Sequence, residues 1–429
     1  MLRGHWFWQR DVKDSRCVGW RQDLVEALHG APNHLTEASG EELCECVKNS
    51  INIHIESFTS RMAPLPVKNG LNPSCVPLPH TADPTPALEF ITALIDSQRH
   101  RHPDDDADAI RARFAAGEVV DDAGRPFAPD DVIRPGRFVN FYRTPAPERP
   151  VPGVLSPLFQ DANLLVLDKP SFLATLPRGQ HITETALVKA RRQFDIPELS
   201  PAHRLDRLTR GVLMFTIRPE VRGAYQQLFD ERVPNKSYEA VTVLPEDAPF
   251  CPLPRFEGWR SWAAPSPEQP WVLEHHMIKI RGRLSTYLDE SWWDTPADSV
   301  APSQIAHPGT PAAPNAITHV TGIREDVRQL ATATDPVVRP RKVLVWELVP
   351  LTGKTHQLRL ALRSLGLPIL NDPLYEELSD AALTDPAAPL PTPVFVEDED
   401  FTRPMELTAK SLAFDDPFTG HRRVFQSEF

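Results

Sequence analysis

The sequence is most constrained at residues 203–217, where a charged loop runs directly into an apolar strand. Val212 to Ile217 is a mostly apolar run of strand length that Arg218-Pro219 ends, so it predicts a buried strand. Asp206 precedes this strand within a basic loop. The other charged or titratable residues of the loop are His203, Arg204, Arg207 and Arg210. A carboxylate in a cationic loop stays ionised and is aimed by the rigid strand, which predicts either a functional site or a salt-bridged cap on a sheet edge.

The rest of the pattern predicts an α+β fold with a mixed, mainly antiparallel sheet flanked by helices and loops. The 429 residues are 41% hydrophobic, enough for two or three domains with a sizeable core. Strand-like runs alternate with amphipathic helices of mixed direction, including one after Thr183 as N-cap and one with Pro219 in its first turn. No GxGxxG loop occurs in a βαβ unit.

Composition divides the chain into four segments. Residues 1–85 mix isolated Trp and Cys with Pro-rich stretches, which predicts a disordered segment or an over-extended reading frame. Residues 86–143 carry a helical apolar face and Gly-punctuated strands, which predict a small α+β domain. Residues 144–152 are a Pro-rich linker, and residues 153–429 form the main domain.

A helix is predicted from Gly353 to Leu365, closed by Gly366. Its apolar face consists of Leu358, Ala361, Leu362 and Leu365. His356, Arg359 and Arg363 fall on the opposite side, which predicts either a solvated face or a charged site near the first turn.

The formal net charge of −12 disfavours a nucleic-acid partner, because phosphate binding requires a basic surface. The charges are unevenly distributed, however. Residues 178–222 contain nine Lys or Arg against five Asp or Glu, and residues 339–363 contain six against one. The acidic excess lies elsewhere, at 104–106 and 397–400 for example. An acidic chain with one basic face remains compatible with RNA.

Cysteine usage predicts free thiols in a reducing cytoplasm. The five cysteines are Cys17, Cys44, Cys46, Cys75 and Cys251. They form no CxxC pair, and Cys44-x-Cys46 lacks partners at metal-ligand spacing, so no metal is expected. The sequence has no apolar run of about 18 residues and no signal-peptide pattern, so no membrane partner is expected.

Five motifs follow one another along the main domain. They are Asp161–Pro170 (DANLLVLDKP), the His203–Gly211 loop (HRLDRLTRG) with its strand, Lys236–Ala240 (KSYEA), Leu351–Arg359 (LTGKTHQLR) and Asn371–Tyr375 (NDPLY). Together they resemble the motifs of the RNA pseudouridine synthases, specifically the family named for the large-ribosomal-subunit pseudouridine synthase A. The resemblance covers roughly residues 152 to 425, and several ordered motifs are a more specific signal than any one alone.

This resemblance implies an isomerase that breaks the N-glycosidic bond of uridine, turns the base and rejoins it through carbon 5. Such chemistry needs no metal or redox cofactor, so no cofactor is expected. The implied partner is structured RNA, either rRNA or tRNA, and a cytoplasmic monomer is expected. For residues 86–143, a small RNA-binding module and a non-functional α+β cap remain as alternatives.

The resemblance also assigns roles to residues of the site. Asp206 is the implied catalytic carboxylate, either attacking the ribose or taking a proton from it. Arg359 is its implied salt-bridge partner, since a planar guanidinium grips a carboxylate with two donors. Tyr238 is expected to stack on the uracil, and Arg204 to fill the gap left by the flipped nucleotide. The remaining predicted RNA contacts are His203, Thr209, Arg207, Lys236, Lys354, His356 and Gln357.

The sequence departs from the family pattern in places outside the catalytic trio. Arg210 replaces Ser, Lys354 replaces Arg, Asn371 replaces Gly, and Glu376-Glu377 replaces Tyr-Gly. The target site in RNA therefore cannot be inherited from the family. Two rival functions are a non-catalytic RNA-binding or ribosome-assembly factor on the same scaffold and a hydrolytic glycosylase. The intact trio disfavours the first, and the single carboxylate of the motif disfavours the second, because glycoside hydrolysis usually pairs two.

Overall fold

The computed structural model describes residues 64–98, 100–244, 262–280, 283–289, 314–332, 337–392 and 398–429. They belong to two compact units. The first ends at Glu148 and includes Pro177–Thr183, and the second comprises Arg149–Leu176 and Glu184–Phe429. The division falls within the predicted linker at 144–152. The predictions for residues 1–63 and for every cysteine except Cys75 lie outside the described residues.

The first unit is a small α+β domain. Its elements are β1 (Ser74–Pro77), β2 (Thr85–Pro86), α1 (Ala87–Asp96), α2 (Ala107–Ala115), β3 (Val119–Val120), β4 (Val132–Ile133) and β5 (Phe138–Phe141). Strands β1, β5 and β3 form an antiparallel sheet in that order, and β2 pairs with β4. The apolar face predicted for α1 is buried and packs in one core with residues of β1, β3, β4 and β5.

The predicted start of this domain at residue 86 is wrong, because β1 and β2 precede it. Ser74 pairs with Phe141 and Pro77 with Phe138 in the antiparallel register of β1 and β5. A four-residue strand that reads Ser-Cys-Val-Pro carries too short an alternation to be recognised from sequence. Residues 64–85 are therefore part of the folded chain rather than of a disordered segment.

The second unit contains a ten-stranded sheet. Its strands are β6 (Ser156–Gln160), β7 (Leu164–Lys169), β8 (Ser200–Pro201), β9 (Arg210–Thr216), β10 (Asn235–Val243), β11 (Trp271–His275), β14 (Ala316–Leu330), β15 (Arg339–Pro350), β16 (Leu407–Asp415) and β17 (Arg422–Gln426). A separate pair is formed by β12 (Met277–Ile278) and β13 (Tyr287–Leu288). The helices are α3 (Ala186–Phe194), α4 (Arg222–Asp230) and α5 (Gln357–Ser364), with 3-10 turns at Pro219–Val221 and Ala381–Leu383.

The strand order is β11-β14-β15-β10-β16-β9-β7-β6, with β17 beside β16 and β8 beside β9. Among the pairs that the structure describes, β9 with β16 is parallel and the others are antiparallel. The predicted α+β class with a mixed, mainly antiparallel sheet is therefore confirmed.

Both faces of the central strands are covered. All six residues of β7 are buried, as expected of a strand that is packed on two sides. Leu165 and Leu167 join the main core with α3 and α5, whereas Leu164 and Val166 join a second core with Tyr225 of α4. The motif at Asp161–Pro170 is thus carried on a strand that cannot shift without disturbing two cores.

Two helix starts differ from their predictions. The N-cap of α3 is Thr185, whose hydroxyl accepts a hydrogen bond from the Val188 amide, whereas Thr183 donates its hydroxyl to Glu148. Helix α5 begins at Gln357 instead of near Gly353, because His356 adopts a left-handed conformation with φ of 58°. No helix among the described residues is long and apolar enough to cross a membrane.

Candidate active site

The loop that carries Asp206 is fixed by hydrogen bonds of residues close to Asp206 in the sequence. The Thr175 hydroxyl donates to the carbonyl of Leu205 at 2.8 Å and accepts from the amide of Leu205 at 3.1 Å. The Thr209 amide donates to the carbonyl of Asp206 at 3.1 Å, closing a turn. The backbone is therefore held on both sides of Asp206.

Lys169, the last residue of β7, ties this loop to the preceding one. Its ammonium donates to the carbonyls of Leu173 at 2.8 Å, Pro170 at 2.9 Å and Arg207 at 3.2 Å. Burial lowers the pKa of Lys169 to about 7, although the negative charge of Asp206 acts in the opposite direction. Lys169 was not among the predicted site residues, yet the Asp-Lys-Pro turn in the sequence was a signal for it.

The Asp206 carboxylate itself is partly exposed and has no hydrogen bond or ion pair to the residues that the structure describes. Its charge nevertheless acts on three buried groups. It shifts the pKa of Lys169, of Tyr238 and of Arg359 upwards, although burial keeps the pKa of Lys169 below its ordinary value. These residues come from β7, β10 and α5. The charge of Asp206 thus reaches the two other predicted catalytic residues and one lysine.

Tyr238 lies on β10, between β15 and β16, opposite Leu348 on one side and Ala409 on the other. Its ring packs against the main core. Burial raises the pKa of the Tyr238 hydroxyl, and the charge of Asp206 raises it further. The side chain is consequently a neutral phenol near pH 7, which can stack or donate a proton but is a poor base.

Arg359 does not form the predicted salt bridge with Asp206. Its Nε donates to Asp372 at 2.7 Å and its Nη2 at 2.6 Å, so the two-donor grip expected for Asp206 is made with Asp372. Asp372 is fully buried and also accepts from the amides of Leu374 and Tyr375, each at 3.0 Å. Burial alone would lower the pKa of Arg359, but the Asp372 charge and hydrogen bonds raise it.

Arg359 pairs with Asp372 instead of Asp206 because of the turn that follows α5. All of α5 is buried, so Arg359 lies in the interior instead of on a solvated face. A buried guanidinium requires a carboxylate, and the Asn371-Asp372 turn places one against it. Nη1 of Arg359 has no hydrogen bond to the described residues and is the group left for other partners.

His356 directly precedes α5 and contacts Tyr375, the residue that follows the Asp372 turn. Its Nδ1 is 3.2 Å from the Tyr375 hydroxyl, and the two rings meet edge to face. The Tyr375 hydroxyl accepts from the amide of Thr286 at 2.9 Å. Burial lowers the pKa of His356, and the charges of Arg359, Lys279 and Arg204 lower it further, so the imidazole is neutral near pH 7.

Three of the predicted RNA contacts have structural partners instead. His203 accepts from the Met214 amide at 3.1 Å and stacks on Phe229, and burial lowers its pKa to about 3. Thr209 is buried within the turn. The Gln357 amide bridges Thr352 and the Lys354 amide on one side, and the Ile317 carbonyl and Thr318 on the other. The His203 and Gln357 side chains use these hydrogen bonds internally, as buried polar groups do, so RNA could take them only by breaking an internal contact.

Most of the basic side chains around the site are also engaged. Arg207 forms a two-donor pair with Glu399, and Arg210 bonds Thr408 and Glu406. Burial lowers the pKa of Lys236, and the charge of Arg232 lowers it further.

Arg204 and Lys354 are exposed, and among the described residues their side chains have no hydrogen-bonding or ion-pair partner. Of the residues predicted to bind RNA, these two and the partly exposed Lys236 are available to phosphates without breaking a described side-chain contact.

Two backbone positions explain motif residues. Asn371 has a φ of 60°, so Asn, which tolerates the left-handed region better than most residues, can replace the Gly of the family pattern. Gly211 has a φ of 113°, and a Cβ there would lie 2.8 Å from the Ala409 nitrogen. Glycine is therefore required where β9 meets β16 beside the Asp206 loop.

No group of three or more His, Cys, Asp or Glu side chains that could hold a metal ion occurs within the described part of the chain. The polar groups of the cluster are instead those of acid–base and nucleophilic chemistry, with one unbonded carboxylate, one phenol and one guanidinium.

Comparison with known proteins places the chain in a family. A family model described as RNA pseudouridylate synthase matches residues 163–364, which include Asp206, Tyr238 and Arg359. The dual-specificity RNA pseudouridine synthase RluA of Escherichia coli O157:H7 is 30% identical over 218 residues, 51% of this chain and 75% of the relative. RluA of Haemophilus influenzae is 25% identical over 285 residues, 65% of this chain and 95% of the relative.

Among solved structures, the human RNA pseudouridylate synthase domain containing 1 is 19% identical, with a TM-score of 0.41. That similarity covers 65% of this chain and 86% of the human one. The family expected from the five motifs is confirmed by the family model and by the identity to RluA. The chain belongs to the RluA-like family of RNA pseudouridine synthases, which are isomerases that act on uridine in RNA.

Proposed function

We propose that this enzyme converts specific uridines to pseudouridine in a structured rRNA or tRNA, with Asp206 as the catalytic carboxylate. One observation carries the proposal. Leu205, Arg207 and Thr209 are hydrogen-bonded on either side of Asp206, whereas the carboxylate is not bonded to any described residue. A group that is fixed in position and left unbonded is prepared for a substrate atom.

The proposed reaction leaves the composition of the nucleotide unchanged. The bond between N1 of uracil and C1′ of ribose breaks, and a bond from C5 to C1′ forms. C5 then loses a proton, and N1 gains one. Asp206 acts either as a nucleophile at the ribose or as a base that takes a proton from it. Both roles require a carboxylate oxygen that no internal donor occupies.

Tyr238 and Arg359 serve the open intermediate in this proposal. Tyr238 stacks on the freed uracil, and stacking of a base on an aromatic ring contributes roughly 1–3 kcal/mol. Its raised pKa favours a role as a stacking surface or proton donor over that of a base. Arg359 is immobilised by Asp372, so its Nη1 is a fixed donor beside the charge of Asp206.

Access to the glycosidic bond requires that the uridine leaves its stack. We assign Arg204 to the gap that the flipped nucleotide leaves. Its side chain is exposed, lies two residues before Asp206 in the sequence and has no partner among the described residues. Unstacking costs a few kcal/mol, part of which a planar guanidinium recovers by stacking. The proposal also places the enzyme in the cytoplasm as a monomer.

The direct test is to map pseudouridine in rRNA and tRNA from cells with and without this gene. Both RNA classes are mapped because the relative from Escherichia coli is named a dual-specificity enzyme. Loss of one or more pseudouridines, restored by the parental gene but not by Asp206→Asn, is expected. Restoration by Asp206→Asn would instead favour a non-catalytic RNA-binding factor on this scaffold.

A further inference from the structure

Arg207, the residue directly after Asp206, is held by an acidic segment far away in sequence. Its Nη1 and Nη2 donate to the two carboxylate oxygens of Glu399, each at 2.7 Å. Glu399 is only 8% exposed, and the side chain of Arg207 is 25% exposed. A two-donor pair in partly desolvated surroundings has a defined geometry, unlike an exposed surface pair.

The segment around Glu399 is itself anchored by other residues of the second unit. The guanidinium of Arg149 donates to the Glu399 carbonyl at 2.8 Å and lies 4.2 Å from the centre of the Phe401 ring. The Phe401 ring meets Phe172 edge to face at 5.1 Å. Phe172 is buried and has a left-handed backbone with φ of 67°. A strained conformation in a bulky residue persists only where the surroundings fix it, and Phe401 supplies part of that fixation.

Phe172 and Arg207 lie on the two loops that Lys169 also joins. Lys169 bonds the carbonyls of Pro170, Leu173 and Arg207 from the buried side. Glu399 and Phe401 contact Arg207 and Phe172 through their side chains. The residue that follows Asp206 is therefore fixed twice, through its carbonyl by Lys169 and through its guanidinium by Glu399.

This arrangement gives Glu399, one residue of the acidic run at 397–400, a structural partner. Both Nη groups of Arg207 donate to Glu399, so an RNA phosphate that took these two donors would displace a carboxylate that is nearly buried. Leaving that carboxylate unpaired would be costly. The Arg207–Glu399 pair is consequently a permanent part of the folded unit.

We propose that Glu399 is a positioning residue for catalysis, which holds the Asp206 loop in its reactive geometry through Arg207. The proposal rests on the proposed function of Asp206. In this proposal Arg207 acts through Glu399 and not as a phosphate contact. A displacement of about 1 Å at a reacting group can lower a rate about 100-fold, so loss of this anchor should slow the chemical step and leave RNA affinity intact.

The test compares Glu399→Gln, Glu399→Asp, Arg207→Gln and the double variant Arg207→Gln/Glu399→Gln with the parent. Asp398→Asn is the matched control, because it removes the same charge one residue away, from an exposed side chain without a described partner. Three quantities are measured for each protein. They are the single-turnover rate of pseudouridine formation at saturating enzyme, the Kd for the same RNA over a salt series, and the melting temperature.

The expected result is a single-turnover rate about 10- to 100-fold below the parent for Glu399→Gln and Arg207→Gln, with Kd and its salt dependence unchanged. The double variant should be no slower than either single one, since both remove the same contact. Glu399→Asp, which keeps the charge but shortens the side chain, should fold and react at an intermediate rate. Asp398→Asn should match the parent.

Other outcomes would overturn the proposal. A parental rate in folded Glu399→Gln, or a lower melting temperature with no change in rate, would make the pair purely structural. A weaker Kd for Arg207→Gln, with a log–log salt slope reduced by about 0.7–0.9, would make Arg207 a phosphate contact after all. Amide exchange of residues 203–210 tests the anchor even in a parent that makes no pseudouridine. Exchange that is faster in Glu399→Gln than in Asp398→Asn is expected, and equal exchange refutes the anchor.

Discussion

Two carboxylates act on Arg359, and the same substitution in each should have opposite consequences. Asp372 grips the guanidinium with two hydrogen bonds, whereas Asp206 acts on it only through its charge. Asp206→Asn and Asp372→Asn remove one negative charge each and preserve side-chain shape. We expect Asp206→Asn to abolish the chemistry and spare the fold, and Asp372→Asn to weaken the fold.

The magnitude for Asp372→Asn follows from its surroundings. Asp372 is fully buried, Arg359 is 5% exposed, and two backbone amides also donate to the carboxylate. An asparagine there would turn an NH2 group towards a guanidinium donor. Breaking a buried pair by changing one partner costs about 3–5 kcal/mol. For a unit of this size that corresponds to a melting temperature lower by about 6–20 °C.

Asp206→Asn removes no hydrogen bond to the described residues. Lys169 loses an attractive charge but keeps its three carbonyl acceptors. The free energy of unfolding should therefore change by about 0.5 kcal/mol or less, as for substitutions away from buried networks. Pseudouridine formation should be undetectable, and RNA affinity should equal that of the parent or slightly exceed it, because a repulsion with phosphate is removed.

Urea unfolding of both variants, with the same m-value required for each, measures the two free energies. Conversion of uridine in a cognate RNA, below the melting temperature of every protein, measures activity. The reasoning is refuted if Asp206→Asn is destabilised as much as Asp372→Asn, or if it forms pseudouridine near the parental rate. Asp372→Asn with parental stability would show that Arg359 has another buried partner.

Further predictions concern the backbone, the pH dependence and the RNA contacts. Gly211→Ala should destabilise the second unit by several kcal/mol, measured by thermal melting, because its Cβ would collide with Ala409. Lys169 has a pKa of about 7 when folded against 10.5 as the ordinary value, so unfolding binds a proton between these limits. The free energy of unfolding should then rise between pH 7 and pH 10 by up to about 1.4 kcal/mol per pH unit, a slope that Lys169→Met should remove. Lys354→Gln should lower the log–log salt slope of RNA binding by about 0.7–0.9 and leave the melting temperature unchanged, and an unaltered slope would exclude Lys354 from the RNA surface.

The fold was predictable where a single segment carries its own pattern. The apolar run of β9 predicted a buried strand, and the apolar face of α1 predicted its helix. Strand β14, in contrast, continues past Gly322 to Leu330 through Ile-Arg-Glu-Asp-Val-Arg. That extension is paired with β15 through its backbone and carries mostly polar side chains, so no apolar run marks it.

The site was predictable as far as the motifs extend and no further. The family pattern selected Asp206, Tyr238 and Arg359, and the charge of Asp206 acts on both other residues, whereas their catalytic roles stay a prediction. The salt-bridge partner of Arg359 was misassigned, because the burial of α5 and the turn at Asp372 depend on tertiary structure. The Glu399 anchor joins residues 192 positions apart, a pairing that no local pattern in the sequence encodes.

Strand β16 has a consequence for how the enzyme is made on the ribosome. It lies between β9 and β10 and joins β6-β7-β9 to β10-β15-β14-β11. Asp206 precedes β9 on one side of this seam, and Tyr238 lies on β10 on the other. A nascent chain that has not yet released residues 407–415 therefore has two sheet fragments with open edges and no assembled site. Isomerase activity therefore requires that this strand has been translated and inserted. Until then, the open strand edges expose the chain to aggregation and to binding by chaperones.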